Sequence, residues 1–395
     1  MEFQMQESFK VSEEKQHQLI RFFQRVNLAL PFEGNSMKIF QDGSSMLQAL
    51  LATINSAKHH IHVEFYIFED DAVGCLVKDA LIEKAREGVE IRVLYDDVGC
   101  WKVPHRFYDE MREVGIEVRG FLKVRFPRFT SKVNYRNHRK LVVVDGRIGF
   151  VGGMNLAERY LKGVPWGIWK DIMMQVEGKA VYGLQMAFLT DWYATDHSLI
   201  TSSSYFPQME DKGTSLMQVV TSDPVGEWKD IMQGLLIAIT SAQKYVYIQS
   251  PYLLPTEPIL LALKTAAAAG VDVRIMIPEK SDSRMVHWGT MSYLQELMEA
   301  GIKIYMYQKG FLHSKLIVCD DCLSSVGSTN MDFRSFEHNF EANAFMYDKT
   351  SALMLKEIFL SDQKDAKLLQ LKEWRMRPWS QKVKESVIRL FAPLL

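Results

Sequence analysis

His138-Arg139-Lys140-Leu141-Val142-Val143-Val144-Asp145 and His313-Ser314-Lys315-Leu316-Ile317-Val318-Cys319-Asp320 are two copies of one pattern, His-x-Lys-x4-Asp, in a single chain. The residues between lysine and aspartate are apolar and rich in β-branched side chains, so each motif runs into a core strand. Alternation along an extended chain puts His138 and Lys140 on one face, and His313 and Lys315 likewise. Small residues and an asparagine follow each copy: Gly152-Gly153-Met154-Asn155 and Gly327-Ser328-Thr329-Asn330. One histidine beside a buried strand is more often a core residue than a catalyst. A matched pair points instead to a single site assembled from two halves.

The surroundings of the motif repeat as well. Ile54-Asn55-Ser56-Ala57 recurs as Ile239-Thr240-Ser241-Ala242, and Gly88-Val89-Glu90-Ile91-Arg92-Val93 as Gly270-Val271-Asp272-Val273-Arg274-Ile275. Gly115-Ile116-Glu117-Val118 recurs as Gly301-Ile302-Lys303-Ile304. Hydrophobic periodicity predicts helices over 46–57, 76–86 and 104–114 and strands over 61–68, 90–95 and 116–119, with Gly88 closing the second helix. The fold class is therefore α/β: two duplicated αβα halves about a pseudo-twofold axis, with the active site at their interface. The expected division is an amphipathic segment over 1–34, a first half over 35–200, a linker over 201–216 and a second half over 217–395.

A chain of 395 residues, 47% hydrophobic and 24% charged, can bury a large core. Lysine and arginine total 47 against 48 acids, so any pull toward an anionic partner comes from local patches. Four cysteines are too few for a disulfide framework, and Cys319-Asp320-Asp321-Cys322, with no second pair, reads as part of a core strand rather than a zinc or redox site. No apolar run approaches the roughly 18 residues of a membrane span, and the start is too polar for a secretory signal, so the expectation is a soluble or peripheral protein.

Two histidines and two lysines brought together suit a phosphate ester. A neutral imidazole can attack phosphorus while the other, protonated, supplies a proton to the departing alkoxide. Lys140, Lys315 and the amides of Asn155 and Asn330 can neutralise the nonbridging oxygens. A histidine nucleophile needs a partner that fixes its tautomer, and a carboxylate stands downstream of each motif, Asp171 and Glu341. Asp145 and Asp320 complete the motif set, but at strand ends they suit turn or salt-bridge support better than proton transfer.

These residues resemble the phospholipase D superfamily, whose signature is the duplicated His-x-Lys-x4-Asp with its small-residue segment and asparagine. Within it, Gly327-Ser328-Thr329-Asn330-Met331-Asp332-Phe333-Arg334-Ser335-Phe336, then Asn339 and Glu341, is similar to bacterial cardiolipin synthases, as is the ending Arg389-Leu390-Phe391-Ala392-Pro393-Leu394-Leu395. The resemblance spans residues 35–395. It implies two phospholipase D-like domains that transfer a phosphatidyl group between phosphatidylglycerols through a phosphatidyl-histidine, giving cardiolipin. It further implies that His138 is the nucleophile, that His313 is the acid and then the base, that Asp171 and Glu341 orient them, and that no metal or cofactor is needed. Hydrolysis by a phospholipase D, a nucleic-acid phosphodiesterase and a noncatalytic membrane-binding protein are the alternatives. Many cardiolipin synthases carry two N-terminal membrane helices, and no such run occurs here.

Three stretches bear on the partner, expected to be an anionic phospholipid at the cytoplasmic face of a bacterial membrane, with no nucleic acid. Arg119 to Lys140 holds Arg119, Lys123, Arg125, Arg128, Lys132, Arg136, Arg139 and Lys140 without an acid, interleaved with Phe121, Phe126, Phe129 and Tyr135. This suits lipid headgroups or single-stranded nucleic acid, or is simply a solvated basic loop. Leu19, Ile20, Phe22, Phe23 and Val26 form an amphipathic helix that rests on a bilayer or on its own domain. Val383, Val387, Leu390 and Phe391 line one face of a C-terminal helix with the same two options.

Overall fold

The computed structural model describes residues 16–124 and 134–392. The first half contains α1 (residues 16–26), β1 (Phe32–Phe40), α2 (Gly43–Ser56), β2 (His60–Phe65), α3 (Ala72–Arg86), β3 (Glu90–Asp96), α4 (His105–Glu113) and β4 (Glu117–Phe121). It continues with β5 (Arg136–Asn137), β6 (Lys140–Val144), β7 (Ile148–Gly152), α5 (Arg159–Lys162), β8 (Ile168–Lys170), β9 (Met173–Glu177) and α6 (Val181–Asp196). The second half runs through β10 (Ser215–Ser222), α7 (Asp230–Ser241), β11 (Tyr245–Gln249), β12 (Leu253–Leu254), α8 (Glu257–Ala268), β13 (Asp272–Pro278), α9 (Arg284–Glu299) and β14 (Lys303–Tyr307). It closes with β15 (Gly310–Leu312), β16 (Leu316–Cys319), β17 (Leu323–Gly327), β18 (Met331–Asp332), α10 (Phe333–Glu337), β19 (Asn339–Met346), α11 (Lys349–Gln363), β20 (Ala366–Leu368), α12 (Leu371–Arg375) and α13 (Trp379–Arg389).

A single sixteen-stranded sheet runs through both halves. Outward from its centre the first half reads β1-β9-β7-β6-β2-β3-β4, and the second reads β10-β19-β17-β16-β11-β13-β14, with β20 added at the far edge. The same order on both sides is the expected pseudo-twofold. The axis passes between β1 and β10, which pair antiparallel with Phe32 opposite Met217 and Asn35 opposite Ser215. Asn35 is buried there, donating to Ser215 O at 3.0 Å and accepting from Ala180 N at 2.7 Å, so the seam carries no unmet amide. Because Ser215 and Leu216 already belong to β10, the central strand starts inside the stretch expected to be linker.

Matched glycines explain why the halves fold alike. Gly88 and Gly270 have φ of +91°, and Gly115 and Gly301 have +90° and +92°. Each lies just beyond a helix end, where a left-handed residue turns the chain into the next strand and a Cβ would be strained.

Helices cover both faces of the sheet. On one face α2, α3 and α4 build the first-half core, and α1, α7, α8 and α9 build the second. On the other, α6 and α11 share one core across the seam, with Val181 and Leu184 in the same cluster as Leu355 and Phe359. The choice left open for the N-terminal helix is thereby decided. Leu19, Ile20 and Phe23 are buried in the second-half core, Phe23 lies 4.7 Å from the Phe345 ring, and Gln218 Nε2 donates to Ile20 O and Ala29 O at 3.2 and 2.9 Å. Phe23→Ala should therefore lower unfolding stability by about 3–5 kcal/mol in a denaturant titration. A loss below about 1 kcal/mol would mean that α1 is not part of the core in solution.

Candidate active site

The two motifs are locked by reciprocal strand pairs. β5 runs parallel to the start of β19, with Arg136 opposite Asn339 and Asn137 opposite Phe340, and His138 N then donates to Phe340 O at 2.9 Å. β15 and β8 repeat this: Phe311 lies opposite Trp169, Leu312 opposite Lys170, and His313 N donates to Lys170 O at 2.7 Å. The next residue along each partner strand is a carboxylate. Both oxygens of Glu341 lie 3.0 Å from His138 Nδ1, and Asp171 Oδ2 lies 2.6 Å from His313 Nδ1.

The carboxylates are thus crossed: each histidine is held by an acid from the other half. A carboxylate accepts only, so His138 Nδ1 carries the proton and its Nε2 keeps a lone pair. His313 Nδ1 lies between Asp171 Oδ2 at 2.6 Å and Lys315 Nζ at 2.8 Å, and donation to the carboxylate leaves its Nε2 the lone pair. Glu341 also accepts from Ser328 Oγ and from Asn339 Nδ2. Gly153 stands where Ser328 does, one residue beyond its strand, and a Cβ there would meet Asp171 Oδ1 at 2.2 Å. The small residues after each motif therefore make room for these acids or bind them.

Burial pulls His138 down to about 4, with Glu341 opposing and Lys140 assisting; burial also pulls His313 down to about 4, with Lys315 assisting and Asp171 opposing. Burial thus favours the neutral form of both imidazoles. Burial lowers both lysines too, Lys140 well below its ordinary range. Lys140 Nζ donates to His138 O and Lys315 Nζ to His313 O.

Both histidines line one cavity of about 460 Å³, and neither motif lysine is among its lining residues. Asn155 and Asn330 line it too. Asn155 is largely committed, accepting from Ile67 N at 3.1 Å and donating to Tyr160 OH at 2.6 Å. Asn330 Oδ1 has no partner.

Asp145 and Asp320 are not in this cavity. Asp145 accepts from the backbone amides of Lys58, His59 and His60 at 2.9, 2.8 and 3.0 Å, and Asp320 from those of Gln243, Lys244 and Tyr245 at 2.7, 2.8 and 2.9 Å. Although they complete the motif, Asp145 and Asp320 do not join the catalytic histidines; they anchor the starts of β2 and β11.

The basic stretch also changes character. Arg119 pairs with Asp196 at 2.6 Å, while Arg136, Arg139 and Lys140 are buried in the frame of the site. Arg139 joins the halves, donating to Asp191, to Glu341 O at 3.0 Å and to Ser222 O at 3.2 Å. Arg125, Phe126, Arg128, Phe129 and Lys132 lie outside the described residues.

Sequence reasoning missed Tyr66, Tyr252 and Arg334, which line the cavity, and Glu64 behind it. The Tyr66 ring lies edge-on to His138 with centroids 5.1 Å apart. Trp169 and Phe311 pack around His313, with ring centroids 5.2 and 5.5 Å away.

Glu64 has a telling counterpart. Glu64 pairs with Leu141, just after the motif lysine, and Gln249 pairs with Leu316 in the same register. Gln249 accepts from Ser314 Oγ at 2.6 Å and donates to Asp362 Oδ2 at 2.9 Å. Glu64 Oε1 accepts from Asn137 Nδ2, but its buried Oε2 has no donor. A proton on Oε2 given to Asp191 reproduces the Gln249–Asp362 contact. Burial and then the Asp191 charge push Glu64 well above the carboxylate range, against Arg139 and Asn137.

The fold therefore binds the Glu64 proton more tightly than the unfolded chain, which releases it at about pH 4.3. Stability falls as pH rises from that value toward the raised one. Glu64→Gln cannot titrate. Its melting temperature relative to wild type should climb steadily between pH 5 and pH 8; a difference independent of pH would show that Glu64 is ionised in the fold.

The two-domain sheet with a crossed pair of His-Lys motifs defines a phospholipase D-like enzyme. The family described as cardiolipin synthase, PLD-like domain matches residues 50–192 and 235–363. The chain is 42% identical over 372 residues to the major cardiolipin synthase of Bacillus subtilis, covering 93% of this chain and 77% of that protein. It is 40% identical over 383 residues to a Geobacillus kaustophilus cardiolipin synthase, covering 96% and 76%. Its fold matches the crystal structure of phosphatidylserine synthase from Haemophilus influenzae with a TM-score of 0.71 at 15% identity, over 96% of this chain and all of that one. The chain belongs to the cardiolipin synthase family.

Proposed function

We propose that this protein transfers a phosphatidyl group from one phosphatidylglycerol to another, giving cardiolipin and glycerol, through a phosphatidyl-histidine. The carrying observation is that two neutral imidazoles face one cavity, each with Nδ1 held by a carboxylate of the other half. His138 Nε2 attacks phosphorus, the N–P bond forms, and the P–O bond to glycerol breaks. His313 Nε2 gives its proton to the departing alkoxide. His313 takes that proton from water as the substrate binds, because an anionic phosphodiester between the rings favours the charged imidazole. A hydroxyl of the second phosphatidylglycerol then gives its proton back to His313 and attacks phosphorus, and the N–P bond breaks. Water in place of that hydroxyl would give hydrolysis.

His138→Ala should abolish phosphate-labelled protein made from labelled phosphatidylglycerol; label persisting on that variant would remove the nucleophile assignment. His313→Ala should slow release of glycerol at least tenfold more than release of an activated phenolate, which needs no proton. Equal slowing would remove the acid.

Contact with a bilayer is part of this proposal, as a peripheral protein on the cytoplasmic face. No helix among the described residues is long and apolar enough to cross a membrane. α13 turns its apolar side outward: Trp379 and Leu390 are 78% and 79% exposed, and Val383 and Val387 lie between them, while its buried Glu385 pairs with Arg377 at 2.8 Å. Lys382 and Lys384 flank that stripe, suiting an anionic lipid surface. α13 packs along α9, whose Val286 lines the cavity, so a bilayer on this face meets the site. Replacing Trp379 and Leu390 together by serine should cut cosedimentation with phosphatidylglycerol vesicles at least fivefold while sparing turnover of a soluble short-chain substrate. Unchanged binding to vesicles would place the membrane contact elsewhere.

A further inference from the structure

The cavity has two unlike walls where the motifs would make them alike. Two residues before His138 stands Arg136; two residues before His313 stands Phe311. Phe311 is buried behind Trp169, which lines the cavity, their centroids 4.9 Å apart. Arg136 itself lines the cavity, 1% exposed, and its bonding is incomplete. NH1 lies 3.4 Å from Asp96 Oδ1, while Nε and NH2 have no partner among the described residues. Asp96 is already served by the backbone: Oδ1 accepts from Val98 N and Gly99 N at 3.0 and 2.7 Å, and Oδ2 from Asn137 N at 2.9 Å.

A buried guanidinium with most of its donors unused is costly in isolation, and a planar fork of N–H groups matches a phosphodiester. Arg334 lines the same cavity, and no carboxylate among the described residues lies within ion-pairing distance of it. Its charge is felt at Tyr66, beside His138. Acceptors are left over as well. Asn339 Nδ2 is committed to Glu341, which fixes the amide and leaves the buried Asn339 Oδ1 without a donor; Asn330 Oδ1 is in the same state. The cavity acids Asp282 and Asp332 stand on the second-half elements, Asp282 accepting from Tyr252 OH at 2.8 Å and Asp332 from Ser335 N at 2.7 Å. Spare donors and spare acceptors side by side describe a ligand that is both an anion and a hydroxyl donor.

We propose that Arg136, assisted by Arg334, binds the phosphodiester of the acceptor lipid, while Asn330 and Asn339 take the hydroxyls of its headgroup. The inference rests on the transfer reading, in which the donor phosphate occupies the space between His138 and His313 and a second anionic headgroup must be held beside it. It makes Arg136 a determinant of acceptor choice: an acceptor with its own phosphate is favoured over a neutral alcohol.

The test supplies phosphatidylglycerol vesicles with ethanol present and measures cardiolipin, phosphatidylethanol and phosphatidic acid together by mass spectrometry. Arg136→Gln should lower the ratio of cardiolipin to phosphatidylethanol at least tenfold, and Arg136→Lys by less. Arg334→Gln, at a half-buried position without an ion pair, keeps the test open if the Arg136 variants do not fold, and should lower the ratio about threefold. A ratio unchanged in folded variants, with both products falling in parallel, would overturn the subsite and leave the transfer reading standing. Wild-type enzyme that makes phosphatidylethanol and phosphatidic acid but no cardiolipin would overturn the transfer reading, and the subsite with it.

Discussion

The reciprocal pairing of β5 with β19 and of β15 with β8 is the constraint on which the site depends. Each pair is only two or three residues long, yet it sets a motif histidine beside an acid from the other half. A shift of one residue in either register would turn the carboxylate to the opposite face and leave a buried imidazole without its partner. Short strands hold so exact a register because the long ones do. β6 and β16 are interior strands of the common sheet, and the seam at β1 and β10 fixes the halves against each other. Arg139 adds a buried clamp across the interface through Asp191, Glu341 O and Ser222 O.

Burial does the chemical work that exposure could not. It holds both imidazoles neutral, with the lone pair of each available, and puts the charge of Glu341 and Asp171 where only the Nδ1 sides feel it directly. Glu341 shows the balance plainly: burial pushes it up, but His138, Lys140 and Ser328 outweigh burial and leave it below its ordinary value. Among the described residues both histidines have hydrogen-bond partners, whereas Arg136, Asn330 and Asn339, which line the cavity, keep buried polar atoms without one. That contrast separates what holds the catalyst from what awaits a ligand.

Much of this was legible in the chain. The repeated glycines, the β-branched runs and the doubled motif are local signals, and local signals decide strand and helix. Asp171 and Glu341 could be named because a histidine requires a partner, but their crossing could not, since spacing within a half says nothing about contacts between halves. The lysines illustrate a second limit. Alternation puts Lys140 on the face of His138, yet its nitrogen folds back to that residue's carbonyl, a choice made by the surrounding packing. The basic stretch misled for the same reason: Arg136 and Arg139 read as surface charge in sequence and lie buried in the fold. Glu64 gave no signal at all, because a single acid in a strand acquires meaning only from the helix packed behind it.

The sheet that passes unbroken through β1 and β10 carries a last implication. Identical halves would form a reversible device, with either imidazole equally able to begin the reaction. Fusion into one chain frees each copy to drift alone, and it has: Arg139 corresponds to Ser314, Glu64 to Gln249, Ser328 to Gly153 and Arg136 to Phe311. These inequalities lie in the wall and the supports, while the histidines themselves stay matched. Duplication supplied the matched pair, and its setting has diverged around it.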